Sequence, residues 1–166
     1  MALEDIRNER VRKRATLFGQ GVNPYPAQTR RTHTVGELLK RFAALCAAGK
    51  KVTAVGRIMA KREHGGAAFF DLQDETGKIQ VLMKRDTLGN EEYKRMLAAV
   101  DIGDFLGVEA TLFETKRGEE TLEAKHWAML GKALLPLPEK WHGLQDVEER
   151  FRKRYLDLLM NEEVRK

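Results

Sequence analysis

The chain has 166 residues, of which 30 are lysine or arginine and 25 are aspartate or glutamate, so its formal net charge is +5. A chain of this length can bury the core of one compact domain with extensions, and its modest positive charge suits a polyanionic partner without requiring one. The single cysteine, Cys46, excludes an internal disulfide, and the four histidines lie too far apart in the sequence to predict a metal site.

The sequence contains no signal for a membrane or for export. No segment approaches the roughly 20 consecutive apolar residues of a membrane span. The N-terminus MALEDIRNERVRKR is charged throughout and lacks the apolar centre of a signal peptide. We therefore expect a cytoplasmic protein with no membrane partner.

The first predicted element is a basic helix over residues 3–18. It combines strong helix formers with acidic residues early and basic residues late, as the helix dipole favours. Its apolar stripe is thin, so most of its basic side chains should be exposed on a surface or on another molecule. A solvated helix face and a phosphate-binding arm both fit this pattern, and the candidate phosphate contacts are Arg10, Arg12 and Arg14.

A linker containing Gly and Pro leads from this helix to a second one. Thr34 is expected to be its N-cap, because Glu37 follows at the spacing of a capping box. Apolar residues then recur with helical spacing from residue 35 to about residue 48, and Gly49 marks the end.

From residue 51 the apolar period changes to two, which predicts five strands with a short helix at 91–99 between the third and the fourth. The short turns QDETG and TKRGEE predict antiparallel hairpins for strands two and three and for strands four and five. This order is typical of a five-stranded Greek-key barrel of the oligonucleotide/oligosaccharide-binding (OB) kind, with a half-open β-sandwich as the alternative. The predicted strands are 51–62, 67–73, 77–84, 104–114 and 120–131.

The predicted fold class is therefore mainly β with flanking helices, an α+β arrangement. After the barrel comes a connector punctuated by Pro and Gly, and then a helix for which Asp146 is the expected N-cap. The predicted organisation is a basic N-terminal helix and linker over 1–33, a barrel domain over 34–133, and a linker and helix over 134–166.

Two adjacent aromatic residues in the second strand, Phe69 and Phe70, carry the functional argument. Successive side chains on a strand point to opposite faces, so only one ring can enter the core. Phe70 shares its face with Leu72 and is the predicted core residue, whereas Phe69 shares its face with Asp71. On the third strand the same alternation places Gln80 on the more exposed face.

An outward ring beside an amide and basic side chains has the parts of a platform for single-stranded nucleic acid. The ring would stack a base, the Gln80 amide and the Arg62 guanidinium would contact the edge of the base, and cations such as Lys61 would hold phosphates. The alternative is that Phe69 packs under the 91–99 helix or at a rim of the barrel. No Ser/His/Asp or Cys/His grouping has catalytic spacing, so these residues predict a binding module without a catalytic site.

The segment GRIMAKREHGGAAFFDLQDETGKIQVLMK resembles the anticodon-binding barrel of the class II aminoacyl-tRNA synthetases for lysine, aspartate and asparagine. NPYP before the barrel and LLPLPEKWHGLQDVEERFRKRYLDLL after it are similar to the lysine enzymes in particular, and the resemblance covers nearly the whole chain. It implies that the barrel binds the anticodon of lysine tRNA. The central uridine would stack on Phe69 and be recognised by Arg62, Gln80 and Glu119. The neighbouring Glu120 could exchange faces with Glu119 by a one-residue register slip.

The same resemblance implies an ATP- and Mg-dependent lysine–tRNA ligase as the parent enzyme. Its pocket for lysine, ATP and magnesium would follow Lys166, so we expect neither catalytic activity nor a bound cofactor in these residues alone. The family is homodimeric through contacts that lie largely outside this sequence, and a monomer is the expectation for the 166 residues. The alternatives are a free-standing OB-fold binder of single-stranded nucleic acid, the equivalent domain of an aspartyl- or asparaginyl-tRNA synthetase, and a structural assembly module.

Overall fold

The structure, a computed structural model, describes residues 2–138, 147–161 and 164. The chain divides into two compact units, residues 1–135 and 136–166. Residues 1–33, predicted as a basic N-terminal helix and linker, lie in the first unit together with the barrel. The predicted N-cap Asp146 lies outside the described residues.

The first unit contains five helices and five strands among its described residues. In chain order they are α1 (Leu3–Gly19), α2 (Val35–Lys40), α3 (Phe42–Ala47), β1 (Val52–His64), β2 (Ala67–Gln73), β3 (Lys78–Lys84), α4 (Arg85–Leu88), α5 (Asn90–Ala99), β4 (Phe105–Glu114) and β5 (Glu120–Gly131). The second unit contains α6 (Val147–Arg152) and α7 (Arg154–Met160). Within the part of the chain that the structure describes, no helix is both long enough and apolar enough to cross a membrane.

The predicted elements are present, with three differences. The single helix predicted after the connector is interrupted at Lys153, which separates α6 from α7. The helix predicted over 35–48 is interrupted at Arg41, which separates α2 from α3. The helix α4 was not predicted, because four residues are too few to establish a helical period. The expected capping box is confirmed: Thr34 Oγ1 accepts from the Glu37 N–H at 3.2 Å, and Glu37 Oε2 accepts from the Thr34 N–H at 2.7 Å.

The strands form a closed barrel in the order β1-β2-β3-β5-β4, which is the OB-fold arrangement and not the half-open sandwich. Both predicted hairpins are antiparallel, and the parallel pairing of β3 with β5 closes the barrel. The long strand β1 pairs with β4 through its first half and with β2 through its second half. Gly56 lies where β1 changes partner, and a Cβ atom there would come within 2.6 Å of the Gln73 carbonyl oxygen.

The core fills the interior of the barrel with the inward residues of all five strands. Phe70 is fully buried and is the largest side chain among those that are completely inaccessible. Residues from α2, α3 and α5 close the core, among them Leu38, Phe42 and Met96. The alternation predicted for β2 is therefore confirmed, since Phe70 lies inside the barrel.

The β2–β3 turn is tied to the start of α2 by Asp74. Its Oδ2 accepts from the N–H of Val35 at 2.8 Å, and its Oδ1 accepts from the N–H groups of Thr76 and Gly77 at 2.7 and 3.1 Å. The Thr76 hydroxyl in turn accepts from the N–H of Gly36 at 2.7 Å. Burial disfavours the charged carboxylate, but these hydrogen bonds outweigh it, so the pKa of Asp74 lies below its usual value.

We expect Asp74→Ala to lower the free energy of unfolding by about 1–3 kcal/mol, because it leaves helix and turn N–H groups without their acceptor. A lowered pKa means that Asp74 stabilises the fold fully above the ordinary value of 3.8, and that this stabilisation is lost as the pH falls below it. The difference between wild type and variant in urea unfolding should therefore be large at pH 7 and shrink below pH 3.8. Glu75→Gln is the matched control, since the exposed Arg31–Glu75 pair should contribute at most about 1 kcal/mol.

Candidate nucleic-acid interface

Phe69 and Phe70 lie on opposite sides of the barrel wall. Phe69 is half-buried and lies outside the cluster of core residues. In the sheet it is directly opposite Arg62 on β1 and Leu82 on β3, which makes Gln80 its diagonal neighbour. Diagonal positions of this kind are about 7–8 Å apart, within reach of an aromatic side chain.

A groove of about 410 Å³ is lined by Arg62, which is opposite Phe69 in the sheet, and by its diagonal neighbour Gln80, whereas Phe69 itself is not among the lining residues. Three of the residues predicted from the sequence line it together, namely Arg62, Gln80 and Glu119. They come from β1, from β3 and from the turn before β5, so the closure of the barrel brings them together. The remaining lining residues are Leu39, Asp71, Lys78, Ile79, Gly118 and Glu120.

Asp71 forms ion pairs with both cations of the groove. One carboxylate oxygen lies 3.2 Å from the guanidinium of Arg62, and the other lies 3.4 Å from the ammonium of Lys78. The Asp71 side chain is 14% exposed, whereas those of Arg62 and Lys78 are 59% and 51% exposed. The Asp71 carboxylate is thus much less exposed than the two cations with which it pairs. Asp71 and Lys78 were not predicted as site residues, although Asp71 has the strand parity of Phe69 and Lys78 has that of Gln80.

The groove carries more negative than positive charge. Its lining contains the cations of Arg62 and Lys78 and the carboxylates of Asp71, Glu119 and Glu120, which gives a formal charge of −1. Such a surface disfavours a phosphate but can form hydrogen bonds with an uncharged heterocyclic base. The arrangement therefore suits recognition of a base edge.

Gln80 is more buried than the sequence predicted. The prediction of an exposed face on β3 is wrong for Gln80 and Leu82, which are 8% and 5% exposed. β3 is paired along both edges, and α4 packs against β3 and β5. The Gln80 Oε1 atom accepts a hydrogen bond from the Thr121 hydroxyl at 3.1 Å, so this amide has a fixed partner on β5.

Glu119 and Glu120 both line the groove. Glu119 precedes β5 and is exposed, and its backbone is held by Thr115, which accepts from the Glu119 N–H and donates to its carbonyl oxygen, each at 3.0 Å. Glu120 is the first residue of β5 and pairs with Glu114. Either carboxylate can therefore supply an acceptor to a bound base.

Lys61 does not lie with the other predicted residues. It is directly opposite Phe70 and so points to the other side of β1 from Arg62. Its ammonium donates to the carbonyl oxygens of Leu97 and Val100 at 3.0 and 3.2 Å, at the C-terminal end of α5. This position stabilises the helix end and gives Lys61 no place in the groove.

The basic face of α1 is divided between the interior and the surface. The prediction that Arg10 is exposed is wrong: it is 7% exposed, and its guanidinium donates to the carbonyl oxygens of Ile102, Ala133 and Leu135 at 2.9–3.3 Å. Arg12 is exposed and Arg14 is half-buried. Of the three arginines predicted as phosphate contacts, only Arg12 and Arg14 therefore keep a charge that solvent can reach.

The contacts of α1 continue into a charged cluster that packs it against the barrel. The Lys13 ammonium lies 2.7 Å from Asp101, and the fully buried Lys132 pairs with both Asp101 and Asp104. Burial opposes the charge of Asp101, but the hydrogen bonds from Lys13 and Lys132 outweigh it, so the pKa of Asp101 lies below its usual value. None of these residues lines the groove.

Comparison with known proteins shows which class of domain the barrel resembles. Residues 52–130 match the family model of the OB-fold nucleic acid binding domain. The match begins with β1 and ends one residue before the last residue of β5, so it contains nearly the whole barrel and every groove residue except Leu39. This part of the chain is therefore similar to OB-fold nucleic acid binding domains in sequence, in agreement with the observed barrel.

Relatives that match almost the whole of this chain are lysine–tRNA ligases. The chain is 45% identical over 163 residues to that of Carboxydothermus hydrogenoformans, an alignment covering 98% of this chain and 33% of the relative. It is 43% identical over 166 residues to that of Roseiflexus sp. (strain RS-1), covering 99% and 34%, and 44% identical over 168 residues to that of Thermosynechococcus vestitus, covering 97% and 33%. The chain thus spans about a third of the length of these curated relatives.

We expect Arg10→Met and Arg12→Met to differ sharply in thermal and urea unfolding. Arg10→Met removes the donors of three carbonyl oxygens from a buried position and should lower the free energy of unfolding by about 2–3 kcal/mol. Arg12→Met changes an exposed helix position and should stay within about 0.5 kcal/mol of wild type. Equal stability of the two variants would contradict the packing role assigned to Arg10.

Proposed function

We propose that this barrel binds the anticodon of lysine tRNA as part of a cytoplasmic lysine–tRNA ligase. The observation that carries the proposal is the meeting of Arg62, Gln80 and Glu119 in one groove, with Arg62 directly opposite Phe69 in the sheet. The family match of residues 52–130 and the lysine–tRNA ligases among the relatives support the same function.

The groove offers hydrogen-bonding groups that complement uracil. The Watson–Crick edge of uracil presents an N3–H donor between two carbonyl oxygens. Arg62 and the amide NH₂ of Gln80 are donors for those oxygens, and a carboxylate of Glu119 or Glu120 is an acceptor for the N3–H. The ring of Phe69, next to Arg62 in the sheet, stacks against the base. Cytosine carries an amino group where uracil has O4, and no hydrogen on N3, so it fits this set less well.

Phosphates are held outside the groove in this proposal, because the groove itself has an excess of carboxylates. Lys116 and Arg117 are exposed in the β4–β5 turn, directly before the groove residues Gly118 and Glu119. Arg12 and Arg14 of α1 are further proposed phosphate contacts. These basic residues outside the groove would then attract RNA of any sequence, and the groove would supply the selectivity for a base.

The ligase reaction itself belongs to the whole protein in this proposal. ATP and magnesium would be bound by residues outside the 166 described by this sequence, and the barrel would contribute affinity and selection of the tRNA. The partner of these residues is therefore the anticodon stem-loop.

Binding to anticodon stem-loops tests the proposed function. A lysine-tRNA stem-loop with the anticodon UUU should bind more tightly than one whose central uridine is replaced by cytosine, because each good base-edge contact contributes about 1–3 kcal/mol of discrimination. The dissociation constants can be measured by fluorescence anisotropy at one fixed salt concentration, since affinity depends strongly on salt. Equal affinity for the two stem-loops would indicate a general single-strand binder, and the absence of binding would indicate a structural module; either result rejects anticodon recognition.

Phe69→Ala should weaken binding of the UUU stem-loop by about 1–3 kcal/mol through loss of stacking. Its unfolding transition should stay close to that of wild type, because this ring lies outside the core. The matched variant Phe70→Ala empties a fully buried site and should cost about 3–5 kcal/mol of stability. Unchanged affinity of Phe69→Ala would remove the ring from the interface.

A further inference from the structure

A buried hydroxyl lies behind the groove, at the point where the parallel pair β3–β5 closes the barrel. Thr121 on β5 is fully buried and stands directly opposite Gln80 on β3. Its Oγ1 donates to the Gln80 Oε1 at 3.1 Å. Neither the family match nor the sequence patterns assign a role to Thr121.

The same hydroxyl lies 3.1 Å from the carbonyl oxygen of Glu119, so two acceptors compete for it. A hydroxyl carries only one hydrogen and can serve one of them at a time. The Glu119 carbonyl already accepts from the N–H of Thr115 at 3.0 Å. The Gln80 Oε1 has no second donor among residues 2–138 and 147–161, so in this arrangement it depends on the Thr121 hydrogen.

In the structure this hydrogen bond places the oxygen of the planar Gln80 amide toward Thr121, whereas a reversed amide would donate its NH₂ group to the same hydroxyl. With its oxygen turned toward Thr121, the amide presents its NH₂ group to the groove that Gln80 lines. That NH₂ group has no partner in the part of the chain that the structure describes. The reversed amide would present an acceptor and favour a base with an amino group at this place.

We propose that Thr121 is a positioning residue that selects uracil over cytosine by orienting the Gln80 amide. The inference rests on the proposed function of the groove. The NH₂ group of Gln80 donates to the 4-carbonyl oxygen of uracil, where cytosine carries an amino group that would meet it donor to donor. Thr121 acts only through Gln80, because it is fully buried and does not line the groove.

The test compares Thr121→Val, which removes the hydroxyl and keeps the shape, with Thr121→Ser, which keeps the hydroxyl. The measured quantity is the ratio of dissociation constants for stem-loops with central cytosine and central uridine. Thr121→Val should lower this ratio about five- to tenfold, the equivalent of about one hydrogen bond, and Thr121→Ser should retain it. The double variant Thr121→Val/Gln80→Ala should discriminate no worse than Gln80→Ala alone.

The outcomes separate this inference from the function on which it rests. If the wild-type protein prefers uridine and a less stable Thr121→Val variant retains that preference, Thr121 is purely structural and the inference is overturned. Additive effects of the two substitutions would overturn it as well. A wild-type protein without any preference would reject the proposed function and this inference with it.

A second measurement does not depend on the folding of the Thr121→Val variant. In wild-type protein, the side-chain ¹⁵N–¹H resonances of Gln80 should shift on addition of the central-uridine stem-loop, and much less with the central-cytosine stem-loop at equal saturation. Resonances that do not respond to the uridine stem-loop would overturn the inference.

Discussion

The parallel pairing of β3 with β5 is the constraint on which the groove depends. It closes the barrel, and it is the contact that places residue 80 opposite residue 121 although 41 positions separate them in the sequence. Without this pairing the turn before β5 would not lie against β3, and the carboxylates of Glu119 and Glu120 would not reach the groove. Closure also removes the open edges that an unpaired strand would expose.

Two kinds of charged surface serve different purposes in this molecule. In the groove a single carboxylate, that of Asp71, lies between two exposed cations and limits the orientations that they adopt. Ordering side chains before binding reduces the entropy that a ligand must overcome, which favours selectivity at a small contact area. On α1, by contrast, part of the positive charge is used inside the protein, where Arg10 and Lys13 join the helix to the barrel.

The regular elements of the fold could be predicted from the sequence because their periods are local properties. The alternation around Phe69 and Phe70 correctly places Phe70 inside the barrel, and the Gly-containing turns correctly predict both hairpins. Of the four residues that the family resemblance implies, Arg62, Gln80 and Glu119 line the groove together and Phe69 does not. Lys61, which was predicted from the platform pattern, is directed to α5 by its parity on β1.

The remaining features depend on contacts between distant parts of the chain. Arg10 has the sequence context of an exposed helix residue, and its burial follows from carbonyl oxygens 92 to 125 positions away. The burial of Gln80 and its bond to Thr121 require the β3–β5 register, which no local pattern encodes. Asp71 could have been identified, because it shares a face with Phe69, but its two cations lie on neighbouring strands.

The docking of α1 extends the packed structure of the barrel beyond the region that the family match covers. The family match begins at residue 52, yet the carbonyl oxygens of Ile102, Ala133 and Leu135 take their hydrogen bonds from Arg10. A polypeptide trimmed to residues 52–130 would lack Ala133 and Leu135, would leave the Ile102 carbonyl without its donor, and would lose the ion pair of Asp101 with Lys13. Residues on both sides of the matched region therefore contribute contacts that stabilise the barrel.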